Sequence, residues 1–144
     1  MTKQIYVING PNLNLLGVRE PHIYGHNTLE DVHQLCVETA KLLAAEVVFM
    51  QSNIEGEIIN YIQEARTNAC ALIINAAALT HTSIGIHDAL KSLDMPIIEV
   101  HLSNPHAREE FRHKSYVSPL ALGVVTGFGI QSYRLAIEGL RGKI

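Results

Sequence analysis

Cysteine is scarce, basic runs are missing and no apolar stretch is long, and each shortage removes a class of function. The two cysteines are Cys36, on the apolar side of a predicted helix, and Cys70, just ahead of a predicted strand; both positions suit buried free thiols better than a disulfide. No Lys/Arg-rich run occurs in a chain of formal charge −3, which argues against nucleic acid or an anionic membrane surface as the main partner. The longest apolar stretch, Leu120 to Ile130, is broken by glycine and too short to span a bilayer. Met1-Thr2-Lys3-Gln4 passes straight into a strand-like run, with no cationic region ahead of an apolar signal core, so a cytoplasmic protein is expected. The first strand does not end in an acidic pair, and no Gly-x-x-x-x-Gly-Lys-Ser/Thr loop follows any strand, so phosphate transfer is unsupported. Gly127-Phe128-Gly129 reads as tight strand-to-helix turning. Eight histidines are present, but His22 and His26 share a segment with Pro21 and Gly25 rather than a helix, so no metal site is expected.

What is present is the alternation of an α/β protein. With 144 residues, 47% hydrophobic and 17% charged, residues 1–144 are expected to form a single catalytic domain with a sizeable core. Five runs rich in β-branched and aliphatic residues read as buried parallel strands: Ile5–Ile8, Val47–Met50, Leu72–Asn75, Ile97–Leu102 and Gly123–Thr126. Between them lie helical patterns. Leu29, Val32, Leu35, Cys36, Leu42 and Leu43 share a face behind a Thr28/Asp31 capping box, and Ser52 with Glu55 repeats that signature before Ile58, Ile59, Ile62 and Ala65. A helix is predicted from about Ser83 to Leu93, a brief helical turn from Asn104-Pro105 through Phe111, and a last helix from Ile130 to about Leu140. This order predicts a flavodoxin-like three-layer sandwich, a five-stranded parallel sheet of order 2-1-3-4-5 with helices on both faces.

In an open parallel sheet, ligands gather beyond the carboxyl ends of the strands, and that rule selects residues. Strand one ends in Asn9 and a connection running to Gly25, far longer than the usual 2–6 residues. We read it as a working lid carrying Arg19 and Tyr24. Strand three ends in Asn75, ahead of Thr80-His81-Thr82-Ser83 at a helix start. Along strand four, Ile97, Glu99 and His101 share one face; a carboxylate inside an apolar strand is costly unless paired, so Glu99 is expected to orient His101 or raise its basicity. Arg108 and Arg112, four apart, are expected on one side of a helical turn, where they would welcome an anion or form an ordinary solvated face.

These residues fall into motifs. Asn9-Gly-Pro-Asn-Leu-Asn-Leu-Leu-Gly17, Arg19-Glu-Pro-His-Ile-Tyr-Gly25, Asn75 with Thr80-His-Thr-Ser83, and Glu99-Val-His-Leu-Ser-Asn104 with Ala107-Arg-Glu-Glu-Phe-Arg112 together closely resemble the type II 3-dehydroquinate dehydratases, over essentially the whole chain. The resemblance implies dehydration of 3-dehydroquinate to 3-dehydroshikimate through an enolate, by anti elimination, without cofactor or metal. It implies Tyr24 as the base, acting as phenolate; an ordinary phenol titrates near 10, so a working value near 7 would take about 4 kcal/mol of preferential stabilisation of the anion. Arg19 and Arg108 match the positions that supply it. Asn12 would bind a water that holds the enolate, and His101, backed by Glu99, would be the general acid. Asn75 would hold the C1 hydroxyl region, the backbone N–H groups of Leu102 and Ser103 the substrate carboxylate, and His81 and Arg112 the ring hydroxyls. Asp88 matches a residue that reaches the neighbouring subunit's site, in trimers packed into dodecamers.

The chain departs from the family pattern at Asn75-Ala76-Ala77-Ala78, where many relatives carry one or two glycines, and at His87, where arginine is common. Whether the enzyme would serve aromatic biosynthesis along the shikimate pathway or quinate breakdown stays open. The Schiff-base route to the same product is disfavoured, because Lys3, Lys41, Lys91 and Lys143 sit at termini or on helices and Lys114 is the one loop candidate. The alternative from another class is a non-catalytic flavodoxin-like module for a flavin or nucleotide, which has no evident need of a phenol, an imidazole and three arginines.

Overall fold

The strands β1 (Lys3–Asn9), β2 (Ala45–Gln51), β3 (Ala71–Asn75), β4 (Ile97–His101) and β5 (Gly123–Thr126) pair in parallel in the order β2-β1-β3-β4-β5, as the sequence predicts. This is a computed structural model, and it describes residues 2–144. The helices are α1 (Pro21–Tyr24), α2 (Leu29–Lys41), α3 (Glu55–Asn68), α4 (Ile84–Lys91) and α5 (Gln131–Glu138). No described helix is long and apolar enough to cross a membrane.

Strand alternation divides the core into two layers. Ile5 and Val7 of β1, Ile73 of β3 and Val100 of β4 pack with Val32 and Cys36 of α2 and Tyr133 and Ile137 of α5. The intervening residues Tyr6, Ile8, Leu72, Ile74 and Ile97 pack on the opposite face with Ile58 and Ile62 of α3 and Ile86 and Leu90 of α4. At the carboxyl edge the register sets Asn9 beside Asn75, and His101 beside Thr126.

Local chemistry accounts for the boundaries, with four corrections. The Thr28 box forms as predicted: Thr28 Oγ1 accepts from the Asp31 N–H at 3.2 Å, and Asp31 Oδ2 accepts from the Thr28 N–H at 2.9 Å. The second box does not form. Ile54 is the N-cap of α3 and offers no side-chain acceptor; Ser52 accepts from the Ile54 N–H at 2.9 Å and donates to Glu57, while Glu55 takes the hydroxyl of Ser83. Leu42 falls beyond the end of α2 and is 66% exposed, so its periodicity outlasts the helix. Cys70 is only half-buried, whereas burial of Cys36 is complete and pushes its thiol up to about 12. The turn after β4 is two separate 3-10 turns, Pro105–Ala107 and Glu110–Arg112, because Arg108 between them is extended at φ −114° and ψ −163°. Arg108 and Arg112 are therefore not neighbours on a helix.

Candidate active site

The first connection owes its shape to residues that accept left-handed backbone. Asn12 has φ +70° and Gly17 has φ +91°, a region closed to most L-residues but open to glycine and tolerated by asparagine. A Cβ on Gly17 would also lie 3.0 Å from the His26 carbonyl oxygen, so this glycine lets the loop fold back on itself. The loop is thus ordered rather than irregular. It carries a 3-10 turn at Leu13–Leu15 and ends in α1, opened by Pro21 at its first turn. Leu13 and Leu16 anchor it in the core. The Asn12 N–H donates to Asn53 Oδ1 at 2.9 Å.

This folding delivers Tyr24 between two cations: Arg19 Cζ lies 5.1 Å and Arg108 Cζ 5.2 Å from the centre of its ring, within cation–π range. Arg19 comes from the same loop, whereas Arg108 comes from beyond β4, so a single side chain joins two distant segments. Arg108 Nη1 also donates to Ser103 Oγ at 3.3 Å. The three line a cleft of about 600 Å³, open mouth included, into which Asn12, Asn75, His81 and His101 also project. Leu102, Ser103 and Arg112 complete its wall on the β4 side. Of the twelve residues singled out from the sequence, ten line this one cleft; the exceptions are Glu99 and Asp88.

Glu99 lies behind the cleft. It is 2% exposed, and His101 Nε2 sits 2.6 Å from its Oε2. Burial opposes the charge on Glu99, but the bonds from His101, Ser118 and Ser115 outweigh it and hold the carboxyl below its ordinary range. Ionised, it can only accept, so Nε2 of His101 carries a hydrogen and Nδ1 is left as the ring nitrogen for the cleft. The serines reach Glu99 from the segment before β5: Ser115 Oγ lies 3.0 Å and 3.2 Å from its two oxygens, and the hydroxyl of Ser118 donates to Oε1. A second cavity, open on Glu99, Ser115 and Ser118, shares His81, His101 and Arg112 with the first.

His81 stacks at 6.4 Å on His101, its Nδ1 2.8 Å from the Lys114 carbonyl oxygen. Burial pushes its pKa down, which favours a neutral imidazole. Arg112 is held by Glu109 at 2.5 Å. Asp88 is exposed on α4 and lines neither cavity. Lys114 stands outside the cleft with Nζ 4.7 Å from the centre of the Tyr116 ring. Among the described residues no group of three or more His, Cys, Asp or Glu is placed to hold a metal.

Ser115 and Ser118 escaped the sequence reading. Their distance in sequence from Glu99 gives no periodic signal, and serines in a loop are ordinarily solvated. Tyr133 escaped as well, because its place on the apolar stripe of α5 reads as core. Ala77, within the stretch Asn75-Ala76-Ala77-Ala78, adopts φ +52°, the left-handed backbone that glycine would favour.

The sequence matches the family model described as "Dehydroquinase class II" over residues 3–141. It is 62% identical over 142 residues to the "3-dehydroquinate dehydratase" of Phenylobacterium zucineum, covering 99% of this chain and 98% of that one. A Caulobacter protein of the same description is 58% identical over 144 residues, with coverage of 100% and 98%. Among solved structures, type II dehydroquinase from Propionibacterium acnes superposes with a TM-score of 0.93 at 44% identity, covering 99% of this chain and 98% of that one.

Proposed function

From the premise that the chain belongs to the class II dehydroquinase family, we propose a division of labour in the cleft for the reaction this family name describes. The protein is a 3-dehydroquinate dehydratase, a hydro-lyase that converts 3-dehydroquinate to 3-dehydroshikimate. Tyr24 as phenolate takes the proton beside the ketone, and the electrons of that C–H bond pass into an enolate. Arg19 and Arg108 are the electrostatic partners of the anion that the base must become, and Arg19 also faces the charge of the transition state. A water held by Asn12 hydrogen-bonds to the enolate oxygen; a donor in such a position contributes about 3–4 kcal/mol. The enolate then collapses to a carbon–carbon double bond as the C1–oxygen bond breaks, and His101, as the imidazolium whose Nε2–H is held by the Glu99 carboxylate, gives the departing hydroxyl the proton on Nδ1. Water leaves on the face opposite to the proton removed. General acid catalysis of this kind contributes about 10²–10⁴ in rate.

The single observation that carries this reading is the presence in one cleft of Tyr24, 5.1 Å and 5.2 Å from two guanidiniums, and of His101, backed at 2.6 Å by Glu99 behind the cleft. Around them Asn75 binds the C1 hydroxyl region, the backbone N–H groups of Leu102 and Ser103 take the carboxylate, and His81 and Arg112 contact ring hydroxyls. The reaction uses no cofactor or metal, and residues 1–144 act as one catalytic domain in the cytoplasm. The working assembly is a dodecamer of trimers in which Asp88 serves the neighbouring subunit; its exposure on α4, away from its own cleft, supports that role. The test is ultraviolet detection of the conjugated enone formed from 3-dehydroquinate. Turnover by wild type with none by a Tyr24→Phe enzyme is expected, and near-normal turnover by the variant rejects Tyr24 as the base.

A further inference from the structure

Strand alternation puts Asn9 and Asn75 on the same face of the sheet, as register partners at the ends of β1 and β3. From α5, Tyr133 rises beneath both. It is fully buried, and its hydroxyl is the junction of a closed set of bonds. Asn75 Nδ2 donates to Tyr133 Oη at 2.9 Å, and Tyr133 Oη–H donates to Asn9 Oδ1 at 2.7 Å. Asn9 Nδ2 in turn donates to the Met50 carbonyl oxygen at 2.9 Å. The other side of the Asn75 amide is also engaged, since Oδ1 accepts from the Ala77 N–H at 3.1 Å. Burial pushes the phenol of Tyr133 well above its ordinary range, so the hydroxyl keeps its hydrogen.

The direction of every bond in this set is fixed. The Met50 carbonyl oxygen can only accept, so Asn9 presents nitrogen to it and oxygen to Tyr133. Tyr133 must then donate to Asn9, and its lone pairs are left for the nitrogen of Asn75. An amide free to turn over could show the cleft either a donor or an acceptor. Here it is locked, with one Nδ2 hydrogen and one Oδ1 lone pair left uncommitted.

We propose that Tyr133 is a positioning residue for the dehydration: its hydroxyl, oriented by Asn9, fixes which end of the Asn75 amide meets the substrate hydroxyl that departs. Tyr133 touches no reacting atom. Its influence passes through Asn75, so the proposal rests on the place given to Asn75 in the substrate site.

The experiment is a double-mutant cycle of Tyr133→Phe and Asn75→Ala, read as kcat/KM for enone formation at constant enzyme concentration, with urea midpoints measured alongside. Tyr133→Phe keeps the ring and removes the hydroxyl; loosening a group that must meet its target costs up to about 10²-fold, and a loss of about tenfold is expected. Asn75→Ala is expected to lose at least as much, and the double variant to match Asn75→Ala within about twofold, because Tyr133 has then nothing left to orient. A purely structural role would lower the urea midpoint but leave the losses multiplying. Unchanged kcat/KM in Asn75→Ala overturns the placing of Asn75 in the site, and the relay with it. A loss in Asn75→Ala beside an unaffected Tyr133→Phe, or losses that multiply, overturns the relay alone. Should Tyr133→Phe not fold, Asn9→Ala, which removes the acceptor on the far side of the hydroxyl, enters the same cycle with the same outcomes.

Discussion

Replacing Glu99 by Gln keeps the side-chain volume while removing the charge and turning one acceptor oxygen into a donor, which makes it a sharp test of the couple behind the proposed general acid. The two carboxylate oxygens accept from His101 at 2.6 Å, from Ser115 at 3.0 Å and 3.2 Å, and from Ser118. An amide offers one acceptor and one donor group. If its oxygen stays on His101, its nitrogen turns toward hydroxyls of which Ser115 already accepts from the Val117 and Ser118 N–H groups at 3.1 Å and 3.0 Å. If its nitrogen turns to His101, Nε2 must accept, and the ring can no longer carry hydrogens on both nitrogens as the imidazolium acid requires. Bonds to a charged group contribute about 1.5–3 kcal/mol against about 0.5–1.5 for neutral ones. Three weakened bonds cost about 3 kcal/mol, partly offset because a neutral amide is easier to bury than a charge, leaving about 1–2 kcal/mol of net destabilisation. The catalytic loss is larger: kcat should fall about 10²-fold. KM should stay within about threefold, because Glu99 touches the proposed general acid, His101, rather than the cleft. Folding stability carries a second signature. The carboxyl is held below its ordinary 4.5, so its contribution is full above that value and is lost as pH falls through the lowered one. The stability gap between wild type and Glu99→Gln should therefore be widest above pH 4.5 and close below it, as read by urea midpoints across pH. A kcat within about twofold of wild type, or a loss carried by KM, refutes this account of Glu99.

Three further outcomes are expected. His101→Ala should lower kcat by about 10²–10⁴ while substrate still binds, measured by single-turnover rates and calorimetric titration; an unchanged rate removes His101 from the acid role. Gly10→Ala should destabilise by about 1–3 kcal/mol, since its Cβ would lie 2.4 Å from the Ala76 carbonyl oxygen, and a denaturation midpoint equal to wild type would show that the β3 turn yields without cost. Cleavage at Leu16–Arg19 by a protease should slow when a ring carboxylate ligand fills the cleft, because the same loop carries Arg19 and Tyr24 over it; cleavage indifferent to ligand would count against closure.

Strand order and helix placement were readable from the sequence because both rest on periodicity that one-dimensional patterns preserve. The Thr28 box was readable for the same reason, being complete within four residues. The failures share a cause as well. Ser52 and Glu55 carry the letters of a capping box, yet each finds a better partner, Ser52 in Glu57 and Glu55 in Ser83, the latter from a segment that local reasoning cannot see. The Arg108–Arg112 spacing implied a shared helical face, whereas two non-helical residues, Arg108 and Glu109, separate two turns. Both arginines nonetheless line the cleft, since their side chains are long enough to converge from different backbone directions.

The strand ends expose a deeper limit. A polar residue closing a buried strand can be recognised as an expense that needs a partner, which is how Glu99 was tied to His101 two positions along. The same reasoning applied to Asn9 and Asn75 yields only the demand, because the partner that meets it, Tyr133, lies 124 and 58 residues away on a helix whose pattern is that of core. One hydroxyl answers two adjacent strands at once, and it can do so only because parallel pairing brings Asn9 and Asn75 into register. On the proposed reading, active-site polarity in this fold is therefore set from the core side of the sheet as well as from above it: the loop after β1 and the end of β4 bring the reacting groups, and the buried face of α5 fixes which end of the Asn75 amide meets the substrate.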